Sequence, residues 1–250
     1  MRYNRLIELR YSSEAAVSKR ERVRRELLQG SPHLGGGDIS RIYQSDLASL
    51  FDLYDKIFFH SYFHEHFLGQ LFFSLSTRMV KNAGKTLCPR NLKELSPAEE
   101  RYELRISAIL LFNYGILERD KVVSGIRTRD SLEALQLVFE HELCHLIELH
   151  CYKESSCRRA RFQSLAFNIF GHTGSTHQLP VAAEVGREKY GLSVGDWVTF
   201  QHDGGKLSGI ISRITRRATV MVPDDGGVYQ DQGGRRYSKY YVPLQLLRRR

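Results

Sequence analysis

The chain has 250 residues, 42% of them hydrophobic, enough for one substantial core with a small second module beside it. No apolar run reaches the roughly eighteen residues that mark a membrane helix, so no membrane span is expected. The net charge of +9 sits at the two ends, about +4 in residues 1–30 and about +5 in residues 193–250, which suits contact with a polyanion such as DNA and equally suits plain solubility.

Residues 12–29 read as a charged helix, with Ser12 or Ser13 as its N-cap and Gly30 as its stop. The first 29 residues lack the apolar core and cleavage site of a secretory signal. Ser31-Pro32 and Gly35-Gly36-Gly37 then break the chain. Residues 1–37 are therefore expected to form a peripheral helix and a flexible linker. A second helix follows, capped by Asp38 or Ser40. Its apolar positions Ile42, Tyr43, Leu47, Leu50, Phe51, Tyr54 and Phe58 recur at three and four residues. His60, His64 and His66 come next. Their offsets do not share one helical face, so they read as a loop or helix end over the surface. Residues 71–76, 86–88 and 102–107 read as strands, with Asn82-Ala83-Gly84-Lys85 as a turn, and predict a small antiparallel sheet.

A helix is predicted over residues 131–152, with Leu132, Leu135, Val138, Phe139, Leu143, Leu146 and Leu149 as its apolar stripe. It contains His141-Glu142-Leu143-Cys144-His145, an H-E-x-x-H motif. Two histidines four apart leave a helix in the same direction, so two imidazoles can hold one metal ion. Glu142, one step after the first His, is placed to take a proton from water at that ion.

Catalytic zinc takes three protein ligands and leaves one position open. At about 100° per residue, His141, His145 and Glu148 share a narrow wedge and His150 lies opposite. The longer motif with a further Gly and His is absent. Glu148 lies one turn beyond His145 and reads as a carboxylate that orients an imidazole or as a solvated one. His177 is a further candidate. Cys157 and His172 bracket a helix expected over residues 156–170, about 20 Å long, so both cannot bind one ion. Cys157 stands at that helix's N-terminus, where the dipole favours a thiolate. The four cysteines, Cys88, Cys144, Cys151 and Cys157, form no C-x-x-C pair, which favours a reducing, cytoplasmic setting. Cys144 and Cys151 read as small buried hydrophobes.

Residues 191–250 change character. Short β-prone runs at 197–200, 209–212, 218–222 and 240–242 alternate with Gly and Asp turns, which suggests a small basic SH3-like or KOW-like β-barrel. Trp197, Tyr229, Tyr237, Tyr240 and Tyr241 interleave with Arg235, Arg236 and Lys239. That combination suits single-stranded nucleic acid and ordinary barrel packing alike.

Over residues 40–185 the chain resembles the SprT-like zinc metalloproteases, a family that includes a protease of DNA–protein crosslink repair. Leu53-Tyr54-Asp55 with Phe58-Phe59 resembles the family's opening helix. Met79 through Ala83-Gly84-Lys85-Thr86 resembles its strand and turn, and Tyr102-Glu103-Leu104-Arg105-Ile106-Ser107 the strand before the active site. His141-Glu142-Leu143-Cys144-His145 matches the zinc motif, and Thr176-His177-Gln178-Leu179 resembles a segment near the domain's end. The resemblance implies an α+β, zincin-type domain over residues 38–190, followed by the β-barrel module. It implies Zn2+ on His141 and His145, Glu142 as general base, and protein substrates, with nucleic-acid-bound proteins as one class. The family's third ligand is a His opening an H-G-x-x-F/W stretch. Phe162 matches the aromatic, Arg158 stands where the His belongs, and the neighbouring Cys157 is able to ligate. A two-His, one-Cys site is the expectation. The family's zinc ribbon is absent and the basic module stands in its place. The alternative is a non-enzymatic nucleic-acid-binding protein with a structural or degenerate metal site.

Overall fold

A computed structural model describes residues 4–250, so residues 1–3 of the expected N-terminal segment lie outside the described residues. The chain is mixed α+β and divides into two compact units, the first ending at Leu179 and the second comprising Pro180–Arg250. Among the described residues, no helix is long and apolar enough to cross a membrane.

The first unit opens with α1 (Asn4–Ile7) and α2 (Ser13–Gly30). Ser12 caps α2 by accepting a hydrogen bond from the Ala15 N–H. The expected peripheral helix is instead part of the core, because Ala16, Arg20, Val23 and Leu27 form a buried face. The buried Arg20 guanidinium donates to both oxygens of Glu140 at 2.8 Å and to the Phe170 carbonyl at 2.8 Å. The linker is pinned as well. The Gly37 carbonyl accepts from Leu132 N at 2.8 Å, Ile39 N donates to Ser131 Oγ at 2.6 Å, and Arg24 forms a two-point ion pair with Asp130. A charged helix looks peripheral in sequence because its ion-pair partner lies more than a hundred residues away.

Next come α3 (Gln44–Phe58), α4 (Tyr62–His66), β1 (Gln70–Ser76), β2 (Gly84–Leu87) and β3 (Arg101–Ser107). The expected antiparallel sheet is mixed. Its order is β1-β3-β2, with β1 and β3 parallel and β2 and β3 antiparallel. Tyr102, Leu104 and Ile106 of β3 are all but fully buried. Burial on that scale places β3 in the centre, and the long connection after Leu87 lets it return between the two earlier strands. This leaves β2 as an edge strand.

After α5 (Ala108–Phe112), β4 (Lys121–Val123) and β5 (Ile126–Thr128) form a hairpin that the sequence reading did not anticipate. Ser124 and Gly125 both take positive φ, 53° and 81°, the geometry of a type I′ turn. The strands are three residues each, too short for alternation to register. α6 (Ser131–Tyr152) has the bounds that its apolar stripe predicts, and Asp130 caps it by accepting from Glu133 N. α7 (Ala160–Phe170) begins later than expected and ends at Gly171 in the left-handed region.

The second unit contains α8 (Ala182–Tyr190), β6 (Trp197–His202), β7 (Gly205–Ile214), β8 (Ala218–Pro223), β9 (Tyr229–Gln230), β10 (Arg236–Val242) and β11 (Arg248–Arg249). The division at Leu179 falls ahead of the boundary expected at residue 190. α8 goes with the second unit because Gly186 lets it approach Ile214 and the Leu192 carbonyl closely. The strands form one antiparallel six-stranded sheet, order β11-β6-β7-β8-β10-β9, with a bulge between Ile211 and Arg213. Among the described residues no pairing joins β11 to β9, so the strand pairing does not close the sheet into a barrel. Each of these end strands is only two residues long. Val198, Phe200, Ile211, Val220 and Val242 point to one face and form this unit's own core.

Candidate metal centre

The second half of α6 carries His141 and His145 on one side, with ring centroids 5.0 Å apart. Phe162 of α7 packs against both rings, at 4.9 Å and 4.5 Å, and fixes their orientation from behind. Cys157 approaches from the α6–α7 loop. The donor atoms of His141, His145 and Cys157 all lie within 4.8 Å of one another, and all three residues are half-buried. Among the described residues this is the one such group, and His60, His64 and His66 do not form a second. Two imidazoles and a thiolate form a donor set that zinc accepts.

Cys157 does not stand at a helix N-terminus. α7 starts at Ala160, with Arg159 as the residue before it, so the thiol comes from irregular backbone and the helix dipole does not explain its place. Buried Glu148 organises that backbone. Its Oε2 accepts from Ser155 Oγ at 2.6 Å and from Ser156 N at 3.1 Å, and its Oε1 accepts from Arg161 Nε at 2.7 Å. Glu148 is thus fully engaged and is not among the grouped donors. It acts on the site through Ser155, whose Oγ lies 2.7 Å from His145 Nδ1. Since Ser155 gives its proton to a carboxylate, its oxygen accepts from His145 Nδ1–H. That tautomer leaves the lone pair of His145 Nε2 free for a metal. Ser155→Ala should weaken zinc binding by about 10- to 100-fold with the fold kept, measured by competition with a chromogenic chelator. An unchanged affinity would remove Ser155 from this role.

The other sequence candidates are committed elsewhere. His172 Nε2 donates to Glu140 Oε2 at 2.8 Å, inside the buried cluster that also holds Arg20 and Tyr54. His177 Nε2 donates to the Lys81 carbonyl at 2.8 Å while its Nδ1 accepts from Leu179 N. His150 lies on the opposite side of α6, near Tyr62 and Glu100.

Glu142 is buried, and Thr86 Oγ1 of β2 donates to its Oε2 at 2.8 Å. Gly84 makes room for it: a Cβ at that position would stand 2.6 Å from both Cγ and Oε1 of Glu142. Sequence reasoning treated Gly84 and Thr86 only as turn and strand residues. No local signal marks them, because both act across the fold. Burial pushes the Glu142 carboxyl up to about 7, against hydrogen bonds from Thr86 that pull it down. Burial, and then the neighbouring His145, lowers His141 to about 3; burial lowers His145 to about 4. Both imidazoles are therefore neutral near pH 7, the form that binds metal. These groups line a cavity of about 460 Å³, bounded by β2 on one side and by Ser124 and Thr176 on the other. Compared with known protein families, curated proteins and solved structures, the chain matches none.

Proposed function

We propose that the first unit is a SprT-like, zincin-type metalloprotease that hydrolyses peptide bonds with one zinc ion. The observation that carries this reading is a buried carboxylate opening on the same cavity as a three-donor group. His141, His145 and Cys157 would hold the ion. A zinc ion held there would supply Lewis acidity. Glu142 would take a proton from the attacking water at its carboxylate and deliver it to the leaving amine nitrogen, the two roles of one positioned general base and acid. Thr86 holds one Glu142 oxygen and so leaves the other for proton transfer. Ser155 and Glu148 keep His145 in the ligating tautomer. We read the second unit as an SH3-like module. Its support is the strand order β11-β6-β7-β8-β10 and the short 3-10 turn at Leu244–Leu246 before the last strand.

The test is metal content together with cleavage. The purified chain is expected to carry about one zinc and to cut an unfolded protein substrate, with activity lost to a chelator and restored by zinc. His145→Ala should lose the metal while far-UV circular dichroism stays unchanged. If chelation unfolds the chain and the zinc-loaded form cuts nothing, the site is structural and the hydrolase reading fails.

A further inference from the structure

The sheet of the second unit buries one face in its own core and turns the other outward. Strand register shows what that outer face carries. Directly paired residues in adjacent strands share a face. Trp197, Ile210, Met221 and Lys239 are paired in sequence across β6, β7, β8 and β10, so they form one continuous row. Arg213, Thr219 and Tyr241 form a second row beside it. Arg248 joins the same face through its pairing with Thr199. At the far side Lys239 Nζ sits 3.7 Å from the ring centre of Tyr229, which pairs with Tyr237.

Two properties separate this face from ordinary packing. Its aromatics are exposed: Trp197 is 42% accessible, Tyr229 42% and Tyr241 64%. None of the residues paired on it is acidic. Asp203, Asp224, Asp225 and Asp231 all stand in the connections between strands. The result is flat rings separated by Lys239, Arg213 and Arg248; the one carboxylate that reaches a ring residue of this face is Asp231, which accepts from Tyr237 Oη at 2.9 Å at its far edge. A surface on which cations outnumber carboxylates in this way selects a polyanion. Exposed rings between the cations select a polyanion with unpaired planar bases, because each base stacks on a ring while its phosphate meets a cation. A duplex hides its base faces and a polypeptide carries no regular series of them.

We propose that this outer face binds a single strand of nucleic acid, with bases stacked on Trp197 and Tyr241 and phosphates at Lys239, Arg213 and Arg248. The proposal stands independently of peptide hydrolysis in the first unit. Binding requires no zinc.

Trp197 is the chain's single tryptophan, so its emission reports on the proposed face directly. The full-length chain is titrated at low salt with single-stranded dT and U oligomers of about twenty nucleotides, enough to span the face. Saturable quenching is expected, at least about tenfold weaker for a duplex of the same length. Affinity should fall linearly on a log–log plot against salt, and Lys239→Ala should reduce that slope by about one. Tyr241→Ala should weaken binding by about tenfold. Tyr241 is exposed and off the core, and circular dichroism checks that this variant is folded. The proposal is overturned if neither oligomer quenches Trp197. It is also overturned if polyglutamate quenches and the oligomers do not, which would place an acidic peptide on this face. Binding seen by anisotropy that leaves Trp197 emission and the Tyr241→Ala affinity unchanged would put the nucleic acid elsewhere and equally sink it.

Discussion

Glu142→Gln keeps zinc bound and lowers peptide hydrolysis by at least about 100-fold, the lower bound for loss of a positioned general base. The substitution is nearly isosteric, so the space that Gly84 leaves for the side chain stays filled and Thr86 still has an oxygen to bond. What disappears is the capacity to accept a proton. Metal content and the circular dichroism spectrum should match the wild type, which separates this outcome from misfolding or metal loss. The measurement is the initial rate on an unfolded protein substrate with both proteins zinc-loaded. Residual turnover above a few per cent of wild type would rule out Glu142 as the base. Gly84→Ala is the steric counterpart. Its Cβ must displace the Glu142 side chain, so activity should fall with metal content unchanged.

Arg20→Met destabilises the first unit by about 3–5 kcal/mol, the cost of leaving a buried charge without its partner. Arg20 and Glu140 are both buried and meet through two hydrogen bonds. Tyr54 Oη and His172 Nε2 also point at Glu140. Burial by itself pulls the Glu140 carboxyl up, but the Arg20 charge and the hydrogen bonds from His172 and Arg20 outweigh it and hold the group below its usual value. A depressed carboxylate contributes stability that is complete above its ordinary titration range and lost as pH falls through the folded-state value. Wild type should therefore lose stability on acidification, and Arg20→Met should lose much less. Urea unfolding at neutral pH measures the main effect. The double variant Arg20→Met, Glu140→Gln should recover part of the loss, because it removes the orphaned charge. A single-variant loss below about 1 kcal/mol would mean that the cluster tolerates an unpaired carboxylate, contrary to what its burial implies.

Much of this architecture was legible locally. The apolar stripe from Leu132 to Leu149 marked α6, and the spacing of His141 and His145 placed both rings on one side of it. Alternation in residues 102–107 marked β3, and the Ser12-Ser13 pair marked the start of α2, with Ser12 the cap that forms. Cys157 was named as a candidate from its thiol and its position, and the fold brings it beside the two histidines, but from a loop and not from the helix end expected. Apart from the β4–β5 hairpin, whose strands are too short to show alternation, the less legible parts involve partners far apart in sequence. Ser31 and Gly37 looked like a loose joint because each is fixed by a residue on α3 or at the start of α6.

What the amino-acid order determined by itself is periodic. A repeat near 3.6 or 2 decides helix or strand, and with it which side chains leave on the same side. That is enough to pair two histidines on one helix. Tertiary structure decided what those histidines meet: Phe162 behind them, Ser155 and Glu148 beside one ring, Thr86 and Gly84 around the carboxylate, and the place of β3 between β1 and β2. These contacts depend on burial and hydrogen-bond satisfaction between distant segments. They carry no period for a sequence to display.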